Sequence, residues 1–409
     1  MSHSHTATIE LNSLENNDTN LTNDANDANP PPPPGSWGVL QTALLTSSLT
    51  TGSPSTLSFV GSLSLALCVA MMLPSVRLSH LLGARYSMLL GVLLMSLGSL
   101  CSSFTTTTIP GLFGTAGVSF GLGSAIAFTL CNTLPVQYFH SKLGTANGLI
   151  KLGGGIGSTT LVLVLQYAID HVGVAWTFRI FGLISLASGI PAALLVKEHS
   201  PSSSPSTILD FSLFKSLPFT MLFIAGSIGT FTLFVPPFFL PLFAQSIGLS
   251  ASVGAAIVAG FNGCTALGRF SAGFACDRFG ALNTLLLTMA VNAGSMLAIW
   301  PVSSRLAPLV VFAALNGIAN GAFFVAMPTA VGYTYPSKAA VAMAMSISGW
   351  TGGYLMGTPI AGKLIAGDGK GGVAPYRAAI FISGGLATVA AIFVVLARVS
   401  VDGRLRRTV

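Results

Sequence analysis

The stretch GFACDRFG, residues 273–280, decides the fold of this chain. It lies between two long apolar runs, and its letters give the pattern G-x-x-x-D-R-x-G. Gly273 would let two helices touch, and Gly280 permits a tight turn. Asp277 can cap a helix N-terminus and accept a hydrogen bond from Arg278. The stretch therefore predicts a tight, charged turn between two membrane-spanning helices.

The composition indicates an integral membrane protein. Of the 409 residues, 52% are hydrophobic and only 7% are charged, whereas soluble domains are about one quarter charged. The five cysteines lie in or beside apolar runs without CxxC spacing, which disfavours a disulfide framework or a zinc site. Basic residues are dispersed singly, whereas nucleic-acid binders cluster them on one face. We therefore expect no nucleic-acid partner, no metal and no cofactor.

Apolar runs long enough to cross a bilayer occur eleven times, five in the first half and six in the second. The runs lie at 57–76, 87–104, 111–135, 145–168, 174–196, 218–244, 250–273, 284–303, 307–331, 339–365 and 376–397. The predicted fold class is an all-α integral membrane protein with two six-helix bundles and about eleven clear transmembrane helices.

The predicted domains follow from these runs and from the polar segments around them. They are a disordered acidic and proline-rich tail (1–35), an N-terminal helical bundle with a truncated first helix (36–196), a central cytoplasmic linker (197–217), a C-terminal helical bundle (218–398) and a basic cytoplasmic tail (399–409).

Basic residues predict the orientation, because short cytoplasmic loops carry most of the Lys and Arg of a membrane protein. Twelve of the eighteen lie on one set of alternating loops and at the C-terminus, against four on the opposite set. This bias places the C-terminus in the cytoplasm. With eleven spans the N-terminus would face outwards, where the sequons at Asn17 and Asn20 could be glycosylated.

The two halves carry related features at a nearly constant spacing, which is typical of a duplicated transporter. HLLG (80–83) matches DRFG (277–280) at an offset of 197, and Lys142 matches Lys338 at 196. The GxxxG pair Gly117 and Gly121 recurs as Gly317 and Gly321, and each pair would let two helices approach closely.

The stretch 273–280 resembles the loop signature of the major facilitator superfamily. Further stretches are similar to its fungal monocarboxylate-porter-like branch: GVLQTALLTSSLTTGSPSTLSFVGSL (38–63), YFHSKLGTANGLIKLGGGIGS (138–158), WTFRI (176–180) and LGRFSAGFACDRFG (267–280). The resemblance covers residues 38 to about 398 and implies that most of helix 1 is absent. It also implies that Gly273, Asp277, Arg278 and Gly280 form a gate that opens and closes during alternating access. The first-half copy has decayed, with His80 and Leu81 at the Asp and Arg positions.

Charged and amide residues inside the spans are the candidates for binding substrate. Arg269 lies where the family carries an arginine implicated in anion binding, and Lys151 could hold a carboxylate in the central cavity. Asn262 and Asn316 are further candidates. Alternatively, Lys151 and Arg269 extend to the cytoplasmic interface, and the amides form hydrogen bonds between helices. Thr265 stands where proton-coupled carboxylate carriers place an aspartate, which argues against coupling through an Asp/Arg pair.

The resulting prediction is a secondary transporter of the plasma membrane that moves a small organic molecule by alternating access. A carboxylate or a secondary metabolite fits, and the direction is predicted to be export or facilitated movement. Proton-coupled monocarboxylate uptake, and a non-transporting sensor built on a transporter fold, are the alternatives. An enzyme is not expected, since the chain has no HExxH, no GxSxG and no paired intramembrane carboxylates. The expected partners are the substrate and the lipid bilayer, with protons as a further candidate.

Overall fold

The computed structural model of the protein describes most of the chain beyond residue 53. The described residues are Trp37, Leu40, Ala43, Leu44, Ser47, Leu49, 54–139, 142–197, 209–365 and 372–401. In these ranges every regular element is helical. The predicted tail 1–35, the sequons at Asn17 and Asn20, residues 198–208 of the linker and residues 402–409 lie outside the described residues.

The first half consists of six helices and a π-helical segment. They are α1 (Pro54–Ala70), α2 (Met72–Leu82), α3 (Ala84–Ser102), α4 (Ile109–Leu112), the π-helix Phe113–Ser119, α5 (Phe120–Tyr138) and α6 (Leu143–Leu195). The helix α6 contains 53 residues and bends at Gly173, whose φ of 77° is not helical.

The second half follows a short 3₁₀ helix in the linker, Phe211–Lys215. Its α-helices are α7 (Leu217–Leu233), α8 (Val235–Ser246), α9 (Ala251–Phe279), α10 (Ala281–Gly294), α11 (Leu306–Thr334), α12 (Ala339–Ser348), α13 (Thr351–Leu364) and α14 (Arg377–Val401). Between them lie the π-helix Ser295–Ile299 and the 3₁₀ helices Trp300–Val302, Pro336–Lys338 and Ala374–Tyr376.

The predicted count of eleven spans is not confirmed. In the described residues, eight helices are long and apolar enough to cross a membrane, or nine if α1 and α2, bent by 55°, form one broken span. Two predicted runs are not among them. The run 145–168 is part of α6, whose counted section is Tyr167–Leu195. The run 339–365 divides into α12 and α13, of 10 and 14 residues, each too short to cross alone.

The backbone repeats at the positions that the sequence predicts. Gly83 (φ 81°, ψ 155°) joins α2 to α3, and Gly280 (φ 92°, ψ 144°) joins α9 to α10. Lys142 (φ −126°, ψ 33°) precedes α6, and Lys338 (φ −127°, ψ 22°) precedes α12. A positive φ is unstrained only for glycine, so the two turns depend on this residue. The internal repeat of the sequence is therefore also present in the backbone conformation.

Both GxxxG pairs lie at close helix contacts. A Cβ added to Gly321 would lie 1.9 Å from the carbonyl oxygen of Thr265, and one on Gly317 would lie 2.7 Å from that of Phe261. In the first half, a Cβ on Gly121 would lie 3.1 Å from the Cα of Ser64 in α1. Because glycine has no side chain, the backbones of α9 and α11 can lie very close together, and those of α1 and α5 lie slightly farther apart.

Residues before α1 also pack into the first half. Leu40, Ala43 and Leu44 are helical and buried in a cluster that includes Leu57 of α1. The indole nitrogen of Trp37 donates a hydrogen bond to the carbonyl oxygen of Leu57 at 3.0 Å. The truncation of the first helix stays a prediction.

Candidate functional site

The two halves meet where α6 packs against α9. A Cβ on Gly273 would lie 2.8 Å from the carbonyl oxygen of Gly144, and one on Gly148 would lie 3.0 Å from the Cα of Gly273. Three glycines therefore let the two backbones touch. We call this contact, together with its hydrogen bonds at residues 143–145, 277 and 333, the latched seam. It lies at the end of the molecule that carries the loops at Gly83 and Gly280, here called the basic end.

Asp277 closes the latched seam by capping a helix of the other half. Its Oδ1 accepts a hydrogen bond from the backbone N–H of Gly144 at 2.8 Å, and its Oδ2 accepts from the N–H of Thr145 at 2.7 Å. The hydroxyl of Thr145 donates to Oδ2 at 2.6 Å. The first N–H groups of a helix have no partner within the helix, and the helix dipole favours a negative charge there. The carboxylate therefore binds α6 as an N-cap supplied by α9.

Arg278 does not take part in this arrangement, and the expectation that it donates to Asp277 is wrong for this conformation. The guanidinium of Arg278 is exposed and lies 5.7 Å from the ring centre of Phe279. Both oxygens of Asp277 are already occupied by α6. Gly273 and Gly280 do lie where the pattern predicts, at the helix contact and at the turn.

Tyr333 of α11 is a member of the latched seam that the sequence did not suggest. Its hydroxyl donates to Oδ1 of Asp277 at 3.0 Å and accepts from the N–H of Leu143 at 3.0 Å. Asn147 adds another bond between the halves, to the hydroxyl of Thr329 at 2.9 Å. Tyrosines near the ends of membrane spans are common, so the presence of a tyrosine in the sequence does not predict this role.

Lys151 and Arg269 lie deeper in the same interface. Arg269 is ten residues before the end of α9 and Lys151 is eight residues after the start of α6, which places both about 12–15 Å from the basic end. This is near the middle of a hydrocarbon layer about 30 Å thick. The ammonium of Lys151 donates to the carbonyl oxygen of Phe324 in α11. The Nη1 of Arg269 donates to the carbonyl oxygen of Lys151 at 3.2 Å.

Neither cation extends to the basic end in this conformation, and neither is paired with a carboxylate of the described residues. The described carboxylates are Asp170, Asp210 and Asp277, and the one ion pair among the described residues joins Asp210 to Lys338. The Nε of Arg269 is buried without a hydrogen-bond partner in the described part of the chain. The interface thus holds two cations with unused capacity for an anion.

A row of three aromatic side chains from the second half begins beside Arg269. Its guanidinium carbon is 5.8 Å from the ring centre of Phe324. The ring of Phe234 lies 6.3 Å from that of Phe324 and 4.8 Å from that of Tyr354. Each of the three rings is only partly buried. We call Phe234, Phe324 and Tyr354 the aromatic wall, which sequence reasoning missed because its members come from distant segments.

The two candidate amides have different positions. Asn316 is fully buried and donates to Asn292 Oδ1 at 2.8 Å and to Ser295 Oγ at 3.0 Å, so it links helices within the second half. The structure does not bring Asn316 to Lys151 and Arg269. Asn262 is exposed on α9, two helical turns from Arg269 and therefore on a similar face. Thr265 donates its hydroxyl to the carbonyl oxygen of Phe261 at 3.0 Å and forms no bond to Arg269.

The family model described as Major Facilitator Superfamily matches residues 35–271 and 222–408. The chain belongs to the major facilitator superfamily. As a superfamily member it is a multi-pass membrane protein and a secondary transporter, in a family of transporters rather than enzymes. The finer assignment to the monocarboxylate-porter-like branch is not confirmed.

Several fungal superfamily members are similar over most of their length. MFS-type transporter 1 of Ophiocordyceps sp. (strain BCC 1869) is 27% identical over 90% of this chain and 81% of its own. The Agnestins efflux protein AgnL12 of Paecilomyces divaricatus is 26% identical over 90% and 83%. The Aspyridones efflux protein apdF of Emericella nidulans is 27% identical over 86% and 72%.

Solved superfamily structures share the fold. The E. coli fucose:proton symporter FucP superposes with a TM-score of 0.68 at 15% identity, covering 88% of this chain and 95% of FucP. The human organic anion transporter MFSD10 gives a TM-score of 0.68 at 15% identity, covering 87% and 89%. At such low identity these similarities concern the fold alone.

Proposed function

We propose that this chain exports a small organic anion across the plasma membrane by alternating access, with Lys151 and Arg269 binding the anionic group. The observation that carries the proposal is the pair of mid-membrane cations with no carboxylate partner among the described residues. A cation at this depth costs roughly 2.5–3.5 kcal/mol on insertion scales, so two of them require a function or a strong partner. A substrate carboxylate would supply that partner.

The surroundings of the two cations favour an amphipathic molecule. The aromatic wall begins at Phe324, whose ring centre lies 5.8 Å from the Arg269 guanidinium, and continues through Phe234 to Tyr354 as partly exposed apolar ring surface. A bound anion could therefore place its charge on the cations and a flat apolar part on the rings. Asn262, exposed on the same helix as Arg269, is the proposed polar contact at the far side of the site.

The direction of transport is proposed from two observations. Relatives that match 86–90% of this chain are named as efflux proteins for agnestins and aspyridones, which supports export of a fungal secondary metabolite. Thr265, with its hydroxyl bonded within α9, cannot act as a proton-carrying acid beside Arg269. Proton-coupled uptake through an Asp/Arg pair is therefore disfavoured.

We also propose that the chain belongs to the monocarboxylate-porter-like branch and crosses the membrane eleven times, with residues 145–168 and 339–365 each forming one crossing.

The test uses the purified full chain in liposomes and the labelled anion p-aminohippurate, which crosses lipid slowly. We expect flux in the wild-type protein and a loss of at least tenfold in Arg269→Gln and in Lys151→Gln, because each substitution removes one charge from the site. Arg305→Gln and Lys363→Gln, exposed positions away from the site, serve as matched controls and should keep full flux. Equal flux in all five proteins would contradict the assignment of the site.

A further inference from the structure

Lys151 and Arg269 make reciprocal contacts between the two halves. Lys151 belongs to the first half, and its ammonium binds the Phe324 carbonyl of the second half. Arg269 belongs to the second half, and its guanidinium binds the carbonyl of Lys151 itself. We call these two hydrogen bonds the crossed contacts. Each cation keeps its hydrogen bond only while the halves stay together at the basic end, so the groups proposed to bind the anion also hold the gate closed.

The crossed contacts are the only hydrogen bonds of the two charged groups among the described residues, and the ring of Phe324 lies near Arg269. Alternating access requires the halves to rock, which breaks both contacts. It also passes through a conformation closed on both sides, in which two like charges would lie together in a medium of low polarity. Unpaired buried charges are strongly disfavoured, and like charges repel. An anion bound between the cations replaces both lost hydrogen bonds and offsets the repulsion between them.

We propose that the transporter works as an anion exchanger, because the loaded protein reorients readily and the empty one is held by the crossed contacts. This inference rests on the proposed function, since it assumes that the anion binds at Lys151 and Arg269. Exchange requires that the empty protein reorients slowly between the two membrane faces, and the crossed contacts slow this step. One anion leaves the site at one membrane face only when another takes its place for the return step. No proton-carrying residue is needed in this cycle.

The chain contains its own reporter for opening of the basic end. Cys276 is only 2% exposed, is a free thiol, and lies in the latched seam, where a Cβ on Gly144 would be 2.7 Å from the Cβ of Cys276. A maleimide can reach this thiol only after α6 and α9 separate. The background protein replaces the other four cysteines with alanine, at positions 68, 101, 131 and 264.

The crossed contacts are tested by the rate of Cys276 labelling in the empty, reconstituted protein. Lys151→Met should label at least fivefold faster than the background, because one of the two contacts is lost. Lys151→Arg retains a donor and should restore slow labelling, and Lys363→Met is the matched control that should not change the rate. Each rate is normalised to that of the unfolded chain. If Lys151→Met is labelled at the same rate as the background protein, the crossed contacts do not hold the basic end closed, whether or not the protein transports the anion.

Exchange itself is tested by entry of labelled p-aminohippurate into two kinds of vesicle. We expect entry at least tenfold faster into vesicles preloaded with unlabelled p-aminohippurate than into empty ones. Equal entry would overturn exchange and leave the proposed function standing. Absence of entry into both kinds would contradict the proposed function and exchange together, so the two failures are distinguishable.

Discussion

The two halves meet at the basic end along two seams that the internal repeat makes equivalent, yet their chemistry differs. In the latched seam, Asp277 of α9 caps the N-terminus of α6 with hydrogen bonds of 2.6–2.8 Å. At the equivalent position before α3, His80 is exposed and contacts no backbone N–H of α12 among the described residues. Instead α2 and α12 contribute Met72, Val76 and Met343 to one buried apolar cluster. We call this second contact the apolar seam.

The comparison shows how one duplicated geometry can serve two purposes. Charge-assisted hydrogen bonds are directional and are lost abruptly when the partners separate, whereas apolar contact is non-directional and tolerates sliding. Lys338, which precedes α12, pairs with Asp210 of the linker at 2.5 Å rather than with the first half. Among the described residues, the polar cost of opening the basic end therefore falls on the contacts of α6, which are the latched seam, the Asn147–Thr329 bond and the crossed contacts. The apolar seam can act as the surface on which the halves turn.

Removal of the Asp277 cap should have the largest effect and tests the difference between the two seams. Asp277→Ala deletes the acceptor of three hydrogen bonds from α6 and leaves the N–H groups of Gly144 and Thr145 unsatisfied. Each unsatisfied group costs about 1–3 kcal/mol, so opening should become at least about tenfold more frequent. The rate of Cys276 labelling, normalised to the unfolded chain, measures this change. His80→Ala, at the equivalent position, should leave the rate unchanged, and a similar increase in both variants would contradict the asymmetry.

Truncation of the Tyr333 hydroxyl should have an intermediate effect and would sharpen the account of the latch. Tyr333→Phe removes one donor to Asp277 and the acceptor for the N–H of Leu143, while retaining the ring. A net loss of about 1 kcal/mol predicts labelling of Cys276 about fivefold faster. Tyr335→Phe, whose hydroxyl bonds Ser216 of the linker and not the first half, is the matched control. A smaller change at Tyr333 than at Tyr335 would remove Tyr333 from the latch.

The linker ion pair should have the smallest effect, since it joins segments outside the seam between the halves. Hydrogen bonds from Lys338 and Ser212 lower the pKa of Asp210 from its ordinary value near 3.8 to about 2. Its contribution is therefore complete above about pH 4 and is lost only as the pH falls through about 2. Flux of p-aminohippurate through wild type and Asp210→Asn should differ by less than twofold from pH 5 to 8. A step in the wild-type profile in this range that Asp210→Asn abolishes would contradict this assignment.

Sequence reasoning identified the features that depend on local chemistry. The turn glycines Gly83 and Gly280 could be predicted because only glycine tolerates the positive φ, and the GxxxG pairs because only small residues allow such close contact. Lys151 and Arg269 were identifiable because a charge inside an apolar run is rare. In each case the residue type itself carried the physical constraint.

The missed features depend on which segments meet in space. Tyr333 and the aromatic wall act through neighbours tens of residues away, and aromatic residues are too common in membrane spans to mark a site. Asn316 was a candidate binding residue because the sequence does not distinguish a buried amide that faces the substrate from one that bonds a neighbouring helix. The predicted span 339–365 is not confirmed because hydropathy does not register the break between α12 and α13 at residues 349–350.

The most direct test of the central claim is the affinity of the purified chain for p-aminohippurate, measured by calorimetry for the wild type, Lys151→Gln, Arg269→Gln and the double variant. We expect each single substitution to weaken binding at least tenfold and the double variant to show no measurable binding. The exposed-site controls Arg305→Gln and Lys363→Gln should bind like the wild type. Equal affinity in the wild type and the double variant would show that the two mid-membrane cations do not bind the anion.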